Sequence, residues 1–288
     1  MGEELYVNPE GFTPVVMEVF PYRTDGIGCL VVLSNADRDQ HQSEINLCSD
    51  FKTEDPETVF SMKGHIYSML QTGDEQVVLC HSGKTIRIGS PADPQVLLTV
   101  EADMTRLLPA RDGVFVLGLD GYLGLLRGAT LVEMSVPGVT TLYYASQAPD
   151  GAILASAGAG GLFRFQGGTW HKLELATNVE IYRVEALAHN EAILAGSNGF
   201  CARWTEEGLR VYKAPGDRDY RDLTFHRGKL YLGAGHRGLE VLEGDEVVPF
   251  KDNVFSFHLN SSERYLFAGG YNQVARFDGD GWVATEFT

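Results

Sequence analysis

Tyrosine and arginine stand side by side in Tyr182-Arg183 and again in Tyr220-Arg221-Asp222, the two tyrosines 38 positions apart. Together they offer a flat ring, a fixed charge and several hydrogen-bond donors, the types that dominate protein-binding hot spots. Tyr67, Arg106, Tyr143 and Phe255 fall at matching places elsewhere, and His236, Arg237, Tyr271, Asn198 and Asn272 follow in nearby loops. A catalytic reading is also available. His81 and His236, with Asp120 or Asp222 as helpers and Arg221 as anchor, have the types needed for the acid and base of a lyase or hydrolase. Against it, the chain has no nucleophile elbow, no phosphate-binding loop before a helix and no zinc-type pairing of its cysteines. Arg164, Arg203 and Arg276 recur at one place in successive repeats, so they are spread out and do not converge on one anion. They are expected to lay their stems on Phe165, Trp204 and Phe277 and to pair with acids on adjacent strands.

The elements that must position these residues are short strands in a repeat. Small or polar residues close an apolar run at Ser34, His81, Gly118, Ser156, Gly196, Gly233 and Gly269, spaced by 47 residues at first and then by 36 to 40. A period in that range, with several strands in each unit, marks a β-propeller blade. The first strand of each unit is read at Ile66–Leu70, Met104–Leu108, Thr141–Ala145, Ile181–Ala186, Tyr220–Phe225 and Val254–Leu259. Turns at Gly73-Asp74, Asp112-Gly113, Asp150-Gly151 and His189-Asn190 follow, as between antiparallel strands. The second strand is almost wholly apolar, as a strand covered on both faces must be. The sequence therefore predicts an all-β, seven-bladed β-propeller of four-stranded antiparallel blades, one domain over residues 1–288. Blade one takes residues 15–62 with an acidic insertion at 35–50, and the other blades take 63–288. A six-bladed ring with a separate N-terminal strand pair is the alternative. Each blade should be one contiguous segment, with Leu5-Tyr6-Val7 placed to lie across the closing seam.

Composition narrows the partners. The net charge of −16 opposes nucleic acid and anionic membranes, and residues 1–65 hold twelve acids against four bases. Asp37, Asp39, Glu44 and Asp50 gather in the blade-one insertion, which reads either as a solvated loop or as a docking patch for a basic protein. No apolar run reaches bilayer length, and the acidic start Met1-Gly2-Glu3-Glu4 is unlike a signal peptide. Cys29, Cys48, Cys80 and Cys201 show no close pairing, so reduced thiols in a cytoplasmic setting are expected. No cofactor is expected.

Asp150-Gly151, then Gly160-Gly161-Leu162-Phe163-Arg164-Phe165, then Gly167-Gly168-Thr169-Trp170 form the fullest copy of the repeat, and Asn272 to Trp282 repeats its second half. In this the chain resembles the β-propeller superfamily of sensor and WD-type repeats, most of all the regulator-propeller repeat. The resemblance covers most of residues 66–288, although blades two and three lack the tryptophan and the WD dipeptide is absent. It implies a binding module for proteins or small ligands, and it carries over no catalytic residue. The expected binding surface is a ring-mouth set of Tyr67, Arg106, Tyr182, Arg183, Tyr220, Arg221, Asp222, His236, Arg237 and Tyr271, joined by the four acids of blade one. A non-catalytic protein binder, in its sharpest form an acidic inhibitor or immunity protein for a basic toxin nuclease, is the leading expectation. The alternative is a propeller enzyme or small-ligand sensor.

Overall fold

Alternation of apolar and polar residues, broken by glycine, aspartate and asparagine turns, leaves the backbone little choice but short antiparallel strands. The computed structural model describes residues 12–35, 39–73 and 75–288, so Leu5-Tyr6-Val7 and Asp37 lie outside the described residues. Among the described residues, twenty-eight strands form seven four-stranded sheets, each made of four consecutive strands paired in sequence order. The blades span 13–63, 66–99, 104–133, 142–173, 181–211, 222–251 and 258–286. This is a seven-bladed β-propeller with no helix among the described residues, and the six-bladed alternative falls away.

The chain divides into two compact units. A terminal unit combines residues up to Val100 with Val254–Thr288, and a middle unit runs over Glu101–Asn253. The middle unit holds blades three to six around two apolar clusters. One gathers Phe115, Leu154, Val184 and Leu194, and the other Tyr220, Leu223 and Leu232. The terminal unit holds blades one, two and seven, packed on Ile27, Val31, Phe267 and Val274 and on Leu30, Ile45, Ile66 and Leu79. The seam between the first and last blades lies inside this terminal unit. The Val16 amide donates to the Tyr271 carbonyl, and the Asn260 amide donates to the Val19 carbonyl at 3.2 Å. At the other end of the seam, Asp25 accepts from Tyr265 at 2.5 Å and from Arg264 at 2.9 Å, while the Arg276 guanidinium donates to its carbonyl. Among the described residues each blade is contiguous, and main-chain and side-chain hydrogen bonds together tie this joint.

Two expectations need correcting. The acidic stretch of blade one is not an inserted loop. Gln40–Cys48 is the third strand of an enlarged blade whose first two strands are ten residues each. Glu44 lies within that strand, half-buried, accepting from Gln42 at 2.7 Å. Burial pushes its carboxyl up, against the hydrogen bonds from Gln42 and Thr58. Asp50 fastens the turn that follows, accepting from the Lys52 amide at 3.0 Å and the Thr53 hydroxyl at 2.9 Å. Asp39 alone of the described three is fully solvated, 3.9 Å from His41. The first strands of blades six and seven are also shorter than expected, at Asp222–His226 and His258–Ser261. In both blades the chain enters pairing only at the residue opposite the glycine of the second strand.

Candidate functional site

A three-residue step recurs at or just before the start of the first strand of six blades, and three residues into it in blade one. Its first residue is sealed in the core: Val16, Ile66, Met104, Leu142, Ile181, Tyr220 and Ser256 are all at most 5% exposed. Its second residue is skipped by the pairing register. Met17, Tyr67, Thr105, Tyr143 and Tyr182 are bulged out between paired neighbours. Arg221 and Phe257 hold the same place just before their strands, donating amides to Gly233 and Gly269 at 3.0 Å. A bulge bends the strand and re-aims the extra side chain, here toward the end where the loops between second and third strands also emerge. Its third residue turns back into the unit: Glu18, Ser68, Arg106, Tyr144, Arg183, Asp222 and His258.

In the middle unit three of the four second positions form a connected rim. Tyr143 and Tyr182 meet edge to face, with ring centroids 5.3 Å apart. The Arg221 guanidinium lies over Tyr182 at 4.2 Å and pairs with Asp219 at 3.1 Å. Leu119 stands beside them, bridged to Thr141 and half exposed. In the terminal unit the rim is aromatic and imidazole. Tyr67 packs on His65 at 4.4 Å, and His65 on His41 at 5.2 Å. Tyr271 meets Phe255 and Phe257 edge-on, and Tyr67 and Tyr271 are among the most exposed large apolar side chains described.

The third positions make an inner polar layer. In the middle unit Arg183 stacks on Tyr144, its guanidinium carbon 3.5 Å from the ring centroid, and Arg106 approaches the same ring at 5.0 Å. Arg183 then pairs with Asp222 at 2.9 Å and reaches Glu185 at 3.6 Å. Burial works against its charge, and the two carboxylates restore it. A desolvated cation on a ring contributes about 2 kcal/mol, and the buried pair holds only because both charges have partners. In the terminal unit the layer is a carboxylate between two donors. Ser68 donates to Glu18 at 3.0 Å, and His258 stands 3.9 Å away on the other side.

Beyond this layer, at the opposite end of the first strands from the rim, the middle unit has an open pocket of about 710 Å³. Pro109, Ala110, Ala148, Pro149, Leu223 and Phe225 wall it, with Arg183 and Glu185 in its floor. Burial raises the Glu185 carboxyl, and Arg183 opposes the rise.

The predicted binding residues are thus split. Tyr67, Tyr182, Arg221 and Tyr271 come to the rim. Arg106, Arg183 and Asp222 belong to the inner layer, and Tyr220 is wholly buried. The Tyr220 hydroxyl donates to Glu240 at 2.5 Å, and Arg218 donates to the same carboxylate at 2.9 Å. Burial, and next the bond to Glu240, push the phenol far above its ordinary range. Tyr220 and Asp222 are both internal, Asp222 held by Arg183. His236 and Arg237 are exposed in the loop between the second and third strands of blade six, with Arg237 3.6 Å from Asp217. His81 sits at the matching place in blade two, held by Ser82 at 3.0 Å, and burial lowers its imidazole. Arg164 and Arg203 pair with Glu206 and Glu191 at 3.0 and 2.6 Å, whereas buried Arg276 faces Tyr265 and a main-chain carbonyl. All four cysteines are buried and outside any disulfide, and burial lifts the thiols of Cys80 and Cys201 to about 12. No group of three metal-ligating side chains converges among the described residues.

No protein-family model and no curated protein matches this sequence. Solved structures do match the fold. The chain is similar to the WD40 β-propeller domain of Doa1, with a TM-score of 0.71 and 11% identity over 93% of this chain and 96% of that one. It is similar to YCF48 bound to a D1 peptide, with a TM-score of 0.68 and 10% identity over 95% and 97% of the two chains. The extracellular domain of the one-component system BT4673 from B. thetaiotaomicron matches with a TM-score of 0.67 and 13% identity, over 96% of this chain and 40% of that one. At such identities the likeness is one of fold, the β-propeller.

Proposed function

We propose that this protein is a non-catalytic binding module that engages a protein partner through the bulged rim of its first strands. The observation that carries the reading is the register step itself. It sets one residue per blade apart from the regular register, and in four of the seven blades that place holds Tyr67, Tyr143, Tyr182 or Arg221, with Met17, Thr105 and Phe257 in the others. Tyrosine and arginine are the types from which hot spots are built. The YCF48 structure that shares the fold holds a D1 peptide, so the architecture accommodates a peptide ligand.

The finer reading is that the partner is basic and that this protein caps it, as an inhibitor would cap a toxin nuclease. The net charge of −16 supports that choice, because a strong field of one sign speeds encounter with the opposite sign. Stopped-flow association with the isolated partner tests it. The rate should fall by tenfold or more between low and physiological salt. A rate indifferent to salt would remove the basic partner while leaving the rim in place.

A further inference from the structure

The inner layer of the middle unit has one unmet chemical requirement, and it lies at Arg106. This residue is half-buried, and its guanidinium carbon stands 5.0 Å from the centroid of the Tyr144 ring that Arg183 also covers. Both acids of the layer belong to Arg183, Asp222 at 2.9 Å and Glu185 at 3.6 Å. The Arg106 guanidinium has no ion pair and no hydrogen bond to a described residue, only the ring. Two cations therefore share one aromatic face while the counter-charges sit on one of them. Burial first, and Arg106 as a like charge, oppose the charge on Arg183. Arg183 is itself incompletely met. Its Nη2 donates to the Leu223 carbonyl at 3.3 Å, but buried Nη1 has no acceptor among the described residues. A guanidinium carries five donors, and a charge drawn out of water needs a counter-ion or acceptors around it.

Tyr144 and Arg183 also line the open pocket of about 710 Å³, whose Pro109, Ala110, Ala148, Pro149 and Phe225 are apolar. The layer that lacks an anion is thus the layer that this pocket reaches. Other polar groups of the pocket are spent locally. Gln147 accepts from the Arg111 amide at 2.9 Å and donates to the Gly151 carbonyl at 3.2 Å, and the Arg111 side chain donates to the Pro149 carbonyl at 3.0 Å.

We infer that the inner layer binds a small organic carboxylate, with Arg106 as its principal cation, Arg183 as the second, and the apolar body of the ligand in the pocket. A carboxylate matches the planar fork of a guanidinium and would supply the acceptor that Arg106 lacks. A single negative charge suits the layer better than a phosphate dianion, because Asp222 and Glu185 already return two charges to it. An apolar pocket with few fixed polar groups is the usual form of a small-ligand site. The site lies beneath the rim and does not rest on the reading of the rim.

Calorimetric titration with three probes of one shape tests the inference: 3-phenylpropionate, 3-phenylpropanol and 3-phenylpropylamine. The acid should bind saturably at one site, at least tenfold tighter than the alcohol, and the amine should not bind. Arg106→Met should lower acid affinity tenfold or more. Glu185→Gln removes a like charge from the pocket and should raise it severalfold. Ala110→Phe, which narrows the pocket without touching charge, should abolish binding, and Tyr182→Ala at the rim should leave it unchanged. Equal or tighter binding of the amine, full acid affinity in Arg106→Met or Ala110→Phe, weaker binding in Glu185→Gln, or no saturable heat at millimolar acid would each overturn the site. Should Arg106→Met fail to fold, Glu185→Gln and Ala110→Phe decide.

Discussion

The same position of the same strand carries different chemistry in the two units. In the middle unit the third residue of the opening step reads Arg106, Tyr144, Arg183 and Asp222, a stack of fixed charges on a ring. In the terminal unit it reads His258, Glu18 and Ser68, one carboxylate flanked by a hydroxyl and an imidazole. The backbone is alike in both, since the register steps past one residue at Tyr182 as it does at Tyr67. Propeller geometry therefore requires a side chain that points inward there, and requires only that its polarity be satisfied. One unit meets the requirement with buried ion pairing, which costs much when broken. The other meets it with partly solvated groups.

Breaking the costlier arrangement should have the largest effect. Arg183→Met leaves Asp222 buried without its cation and should destabilise the protein by about 3–5 kcal/mol in denaturant unfolding. Arg183→Met combined with Asp222→Leu should recover most of that loss, because a matched apolar pair replaces a buried ionic one at little cost. No recovery would mean that the layer is more than a satisfied charge. Tyr220→Phe removes one of the two donors to Glu240 and should cost about 1.5–3 kcal/mol by the same measurement. Glu18→Gln in the terminal unit keeps an acceptor for Ser68 and should cost less than about 1 kcal/mol. A cost equal to that of Arg183→Met would erase the distinction between the units.

Acid should sharpen the contrast. Burial holds the imidazoles of His65 and His81 below their ordinary 6.5. A depressed value means that the folded state binds fewer protons. The stability those two histidines lend is complete above pH 6.5 and is lost as pH falls through their lowered folded values. Glu185 in the middle unit has the opposite sign, since its raised carboxyl gains stability as pH falls through its folded value. Unfolding from neutral pH to about pH 5.5 should therefore slope less steeply in His65→Asn/His81→Asn than in the wild type. An unchanged slope would place the acid response elsewhere.

Much of the fold could be read in the sequence because its signals are local. Blade number follows from the recurrence of an apolar run and a small residue, and strand order from turns such as Asp150-Gly151. The binding residues were legible only in part. Tyr182-Arg183 and Tyr220-Arg221 look alike in sequence, yet the step is offset by one residue between them. Tyr182 and Arg221 therefore touch at the rim, while Arg183 and Tyr220 are internal. A bulge leaves no residue-type mark of its own. The signal that could have found it is the aliphatic residue before each rim side chain, with Ile66, Leu142 and Ile181 matching Tyr220. The acids of blade one misled for a related reason. Lengthened strands and an inserted loop give the same change of spacing, and only pairing tells them apart.

The rim variants carry the smallest expected cost in stability and the largest in binding. Tyr143→Ala/Tyr182→Ala/Arg221→Ala alters partly exposed side chains and should change unfolding far less than Arg183→Met does. The most direct test is affinity capture from the native host with wild type and this variant side by side, followed by titration of the purified partner. The account predicts one stoichiometric partner for the wild type and at least a tenfold loss of affinity in the variant at unchanged melting temperature. Equal affinity in the variant, or no stoichiometric partner at all, would contradict it.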